Sequence, residues 1–127
     1  MALMALLGEQ IFMTHSMEMV KTAIAALEEK KAFDVKVMDI SKISTLCDYL
    51  VIADGANKKQ VQALSDSVEE LMREAGHELK SVEGYCEGGW ILLDYYDIIV
   101  HIFSEEARRF YNIEKIWSDG EIVYGKQ

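Results

Sequence analysis

Between Trp90 and Tyr111 the chain reads WILLDYYDIIVHIFSEEARRFY, two short apolar runs around Asp94-Tyr95-Tyr96-Asp97 followed by a charged and aromatic helix start. Side chains on a strand alternate between faces. Trp90, Leu92 and Asp94 therefore share one face, while Ile91, Leu93 and Tyr95 share the other. Both faces are largely apolar, so the pattern predicts a sheet that needs cover on two sides. A small domain with few helices leaves part of such a sheet open.

Elsewhere the pattern predicts a complete set of elements. Val20, Ala23, Ile24 and Leu27 recur at helical spacing and predict a helix over Met17–Lys31. Val35–Ile40 alternates like a half-buried strand, and Leu46–Ala53 is apolar enough for a central one. Asn57 is placed to cap a second helix with the stripe Val61, Leu64, Val68, Leu71, Met72 and Ala75, ending at Gly76. Leu79–Glu83 reads as an edge strand, followed by a loop around Gly84 and Gly88-Gly89. The two apolar runs then form a hairpin about Tyr95-Tyr96, and Ser104 with Glu105 and Glu106 starts a last helix running to about Trp117.

The expectation is one α/β domain over residues 17–120, a mixed, mostly central sheet with flanking helices in the order α-β-β-α-β-β-β-α. Residues 1–16, apolar from Met1 to Gly8, read as an N-terminal extension whose origin the sequence does not decide, and residues 121–127 as a C-terminal tail.

Composition narrows the function classes. A chain of 127 residues supports a single core. Its net charge of −9 and pI near 4.7 make it a poor binder of nucleic-acid phosphates, so no direct DNA partner is expected. Acidity favours a basic partner and speeds its arrival, although solubility alone also accounts for it. Cys47 and Cys86 form no Cys-x-x-Cys and have no histidine at ligand spacing, as expected for reduced thiols in a cytoplasmic protein. No apolar run reaches the ~18–20 residues of a membrane helix. The N-terminus lacks the cationic start of a signal peptide and the arginines of a transit peptide.

The candidate chemistry is sparse. Asp94 and Asp97 would point to opposite faces of one continuous strand, or sit opposite each other across a two-residue hairpin. In the second case a cation or a basic partner would relieve their repulsion; solvated hairpin-tip aspartates are the plainer reading. Asp39, Asp48 and Asp54 lie near strand ends with no phosphate-cradling glycine motif beside them, and are read as turn-closing residues. Cys47 reads as a core thiol, and His101 as a hydrogen-bonded strand histidine rather than a base. Arg108 and Arg109 have solvent, or Glu105 and Glu106 one turn away, as their default partners. No catalytic residue, metal ligand or cofactor is expected. Trp90 reads either as a core residue or as an interface anchor, a role in which tryptophan is enriched.

Several segments taken in order resemble the ribosomal silencing factor (Iojap) family. They are Asp48–Gly55, Gln60–Ala63, Val82–Gly84, Gly89–Tyr95, Asp97–Phe103 and Arg109–Trp117, and the resemblance spans about residues 19–120. It implies a nucleotidyltransferase-like fold without the catalytic motif. It also implies binding to protein fourteen of the large ribosomal subunit, which would block joining of the small subunit and lower translation. By the same resemblance Trp90, Leu92 and Asp94 form the docking face, with Tyr95 and Glu83 beside them. Two positions depart from the family pattern: Tyr96 stands where glycine is usual, and Asp54-Gly55 where serine-glycine is preferred.

Two other readings stay open. One is a metal-dependent nucleotidyltransferase-like enzyme using Asp94, Asp97 or Asp39, although that chemistry generally needs a Gly-Ser pair and an Asp-x-Asp, and the chain has neither. The other is a homodimer that buries the open sheet face on itself.

Overall fold

The computed structural model describes residues 14–125. Helix α1 (His15–Glu29) starts where the Thr14 side chain accepts the Met17 N–H. It begins two residues earlier than the apolar stripe predicts, within the segment read as an extension; residues 1–13 of that segment lie outside the described residues. Strand β1 (Phe33–Asp39) and strand β2 (Tyr49–Gly55) follow. Helix α2 (Lys58–Glu74) is capped as expected, with the Asn57 side chain accepting the Gln60 N–H at 2.9 Å. At its other end Gly76 takes φ +86°, the Gly76 N–H reaches the Arg73 carbonyl and the His77 N–H reaches that of Met72. This double closure needs a left-handed residue, which glycine adopts without a Cβ penalty.

Strands β3 (Ser81–Glu83), β4 (Trp90–Asp94) and β5 (Ile98–Ser104) complete the predicted set. With a last strand β6 (Glu121–Tyr124), the sheet order is β3-β4-β5-β2-β1-β6, with β2 and β5 parallel and every other pair antiparallel. The mixed sheet flanked by helices is thus present, and β3 is an edge strand as its sequence suggested.

Three features differ from expectation. The last helix is two: α3 (Glu105–Tyr111) and α4 (Ile113–Ile116), broken by Asn112 in the left-handed region at φ 44°. Glu121–Tyr124, read as tail, is strand β6 and pairs with β1. In the hairpin, Asp94 stands opposite Ile99 rather than Asp97. The Asp97 N–H closes back on the Tyr95 carbonyl around Tyr96 at φ 71°, a strained three-residue turn.

The two sheet faces are covered unequally. Helices α1 and α2 seal one face over Val37, Val51, Ala53, Ile91, Leu93, Val100 and Ile102, all fully buried. The stripes Val20, Ala23, Leu27 and Val61, Leu64, Val68, Met72 supply the facing layer. The second face buries Met38, Leu50, Ile52 and Phe103 beneath the short α3–α4 segment, while Trp90 and Leu92 remain partly exposed at its margin.

Candidate docking face

The strand alternation that predicts two faces holds along β4. Ile91, Leu93 and Tyr95 belong to the sealed core, and Trp90 and Leu92 to the second cluster. Cross-strand pairing extends the second face: Glu83 is opposite Leu92, Leu92 is opposite His101, and Ser81 is opposite Asp94. Residues directly opposite on antiparallel strands project to one side. Trp90, Leu92, Asp94 and Glu83 are therefore brought together, with Glu83 exposed at the edge.

Tyr95 does not join them. It is 2 % exposed, packs in the core beneath α2, and lines a cleft of about 540 Å³ with Glu69, Arg73 and His77. Burial pushes its hydroxyl up from its ordinary pKa. The strand period places it there, because Tyr95 is one residue past Asp94 and so faces the other way.

Trp90 is set in an aromatic frame. Its ring centroid lies 4.6 Å from that of Tyr111 and 5.1 Å from that of Phe103. Its indole Nε1–H donates to His101 Nδ1 at 3.0 Å. It is neither a sealed core residue nor a free surface one: it packs against the second cluster and stays partly exposed. Offset aromatic pairs at these separations are each worth about 0.5–1.5 kcal/mol beyond area burial.

Asp94 accepts the Tyr96 N–H at 2.8 Å and lies 3.9 Å from Lys80 Nζ. Lys80 also sits 5.7 Å from the Tyr96 ring centroid. The hairpin tip is thus internally satisfied rather than an unrelieved pair of carboxylates. Among the described residues no group of three or more His, Cys, Asp or Glu side chains could hold a metal ion. Asp39 accepts from Ser41 in the turn after β1, and Asp48 accepts the Ser16 hydroxyl at 2.6 Å, tying α1 to the start of β2. Cys47 is buried and its thiol is pushed up to about 12, chiefly by burial. That is an inert core thiol. Cys86 is exposed.

The sequence reading missed the other half of this face. Arg108 is not solvated or paired with its helix neighbours; it is 6 % exposed and runs beneath α3 to Asp54 at 2.5 Å, Glu114 at 2.8 Å and Asp34 at 3.2 Å. Lys36 adds a second cation on Glu114 at 2.8 Å. Asp54, read as a turn-closing residue, is instead a buried partner of Arg108. Hydrogen bonds from Arg108 and Lys36 hold the Glu114 carboxyl down at about 2. These partners lie up to 78 residues apart in sequence, so no local pattern announces them. The cluster pins α3–α4 over β1 and β2 and leaves the β3–β4 side uncovered.

No helix among the described residues is long and apolar enough to cross a membrane. The family described as "Ribosomal silencing factor during starvation" matches residues 13–126. The ribosomal silencing factor of Halalkalibacterium halodurans is 37 % identical over 106 residues, covering 84 % of this chain and 91 % of that protein. That of Bacillus subtilis is 38 % identical over 103 residues, covering 81 % and 87 %. A crystal structure of a Chromobacterium violaceum protein superposes with a TM-score of 0.81 at 34 % identity, covering 90 % of each chain. The sequence resemblance, the family match and the shared architecture agree: this chain belongs to the ribosomal silencing factor family of translation regulators.

Proposed function

We propose that this protein acts in the cytoplasm by binding the large ribosomal subunit through its protein fourteen. Bound there, it sterically blocks joining of the small subunit and represses translation without catalysing a reaction. The observation that carries this reading is the half-open second face, where Trp90 and Leu92 lie partly exposed among Glu83, Asp94 and the uncovered strands β3 and β4. Trp90 and Leu92 supply the apolar centre of the contact. Glu83 and Asp94 supply acidic groups for basic side chains of the partner, in keeping with the net charge of −9. The fold reads as nucleotidyltransferase-like without its catalytic motif.

Sucrose-gradient sedimentation tests the proposal. The wild-type protein is expected to travel with free large subunits, and Leu92→Arg to stay at the top of the gradient while keeping its circular dichroism spectrum. A wild-type protein that ignores large subunits, or a Leu92→Arg variant that still travels with them, overturns it. The same uncovered face supports a second reading, a homodimer closed over Trp90 and Leu92 that the ribosome competes apart. Light scattering across a dilution series distinguishes that state from a monomer.

A further inference from the structure

His101 occupies the centre of the half-open face, opposite Leu92 and beside the anchor, yet it has no part in the docking reading so far. It is 7 % exposed, and its ring lies nearly parallel to that of Phe103 at 11° with centroids 6.1 Å apart. Nδ1 accepts the Trp90 indole N–H at 3.0 Å, so that nitrogen carries no proton and the neutral ring bears its hydrogen on Nε2. Burial pushes the imidazole down to about 4, which keeps the accepting lone pair available at neutral pH.

An indole has one donor, and a partly buried donor left without an acceptor is costly. Phe103 and Tyr111 limit where the Trp90 ring can lie, and the indole N–H finds its acceptor on His101. The acceptor on His101 selects one orientation of the indole within that frame. A side chain already held in its bound orientation loses less freedom on association.

We infer that His101 is a positioning residue for docking: by accepting the Trp90 indole hydrogen it holds the anchor in one orientation before the basic partner arrives. The inference rests on the docking face proposed above and adds a residue that need not touch the partner. The alternative is that His101 only fills space between Phe103 and Leu92.

Three variants and one spectrum separate these. His101→Phe keeps a ring of similar shape and removes the acceptor; His101→Asn places a carbonyl oxygen near the former Nδ1 and retains one; Leu92→Arg blocks the face itself. The proposal expects His101→Phe to weaken large-subunit binding about three- to tenfold, the range that ordering one side chain spans, and His101→Asn to restore most of it. The Trp90 indole N–H resonance in the free protein should move in His101→Phe and stay near its wild-type position in His101→Asn. If both His101 variants bind like wild type while Leu92→Arg does not, the positioning role is overturned and the docking face stands. If Leu92→Arg also binds like wild type, the docking face falls, and this inference with it. Nitrogen-15 spectra of wild-type His101 provide a check independent of any variant: an Nε2–H tautomer is expected, and a proton on Nδ1 overturns the proposal.

Discussion

Beneath α1 and α2 the sheet presents Val37, Val51, Ala53, Ile91, Leu93, Val100 and Ile102, aliphatic side chains with no exposure and no polar atom among them. On the opposite face the same strands carry Asp54, His101, Trp90 and Glu83, and the cover is two short helices held by a buried arginine. The first face is closed by the hydrophobic effect, which has no direction and tolerates any well-packed apolar cover. The second is closed on the β1–β2 side by a smaller apolar cluster of Met38, Leu50, Ile52 and Phe103 together with directed charge pairs, and is left open on the β3–β4 side. One face is sealed by apolar cover alone, and on the other Trp90 and acidic groups stay accessible, as the proposed docking requires.

The largest expected effect lies at the charge cluster. Arg108→Ala should destabilise the fold by about 3–5 kcal/mol in urea titrations, because it leaves Asp54 buried without its cation. A loss below about 1 kcal/mol would mean that the cluster does not hold α3–α4 in place. On the sealed face Leu93→Ala should cost about 3 kcal/mol through lost burial and a cavity, with no effect on ribosome binding beyond that of unfolding. Together the two variants ask whether the faces contribute comparably by different means.

Acid should act on His101 of the second face, and also on His77 beside Tyr95, which burial likewise holds below the ordinary histidine value. His101 titrates near 4 in the folded protein against an ordinary 6.5, so the unfolded chain takes up the proton first and stability falls as pH drops from about 6.5 to about 4. Glu114, held at about 2 against an ordinary 4.5, contributes stability that is present above about 4.5 and lost as pH falls towards 2. Urea midpoints measured from pH 7 to pH 4 should therefore decline, and His101→Phe should flatten the upper part of the decline. An equal slope in the variant would show that another group is responsible.

The smallest effect concerns the hairpin tip. Tyr96 sits at φ 71°, where glycine is comfortable, and Tyr96→Gly should raise stability by about 1 kcal/mol in thermal or urea unfolding. Loss of the Lys80 cation from the tyrosine ring offsets part of that gain. A destabilised Tyr96→Gly would mean that the ring contributes more than the backbone strain costs.

Local rules carried the reading furthest where local physics decides the structure. The caps at Asn57 and Ser104, the close at Gly76 and the alternation along Trp90–Tyr95 are set by near neighbours, and each was legible. Trp90 is legible in the sequence only as a choice between core and interface; the structure packs it against Phe103 and Tyr111 and leaves it partly exposed. Strand β6 was not legible, because Glu121–Tyr124 becomes a strand by pairing with β1 far upstream. Neither was Arg108: its helix neighbours Glu105 and Glu106 suggested surface pairs, while its actual partners come from β1, β2 and α4. The family resemblance puts Tyr95 on the docking face, whereas the strand period of the same sequence turns it into the core, where it is buried.

The most direct test of the half-open face is hydroxyl-radical footprinting of the protein alone and bound to purified large subunits. Trp90 and Leu92 should react in the free protein and become protected on binding, while the helices α1 and α2 keep their reactivity. Unchanged reactivity at Trp90 and Leu92 in a complex known to have formed would contradict the assignment of this face to docking.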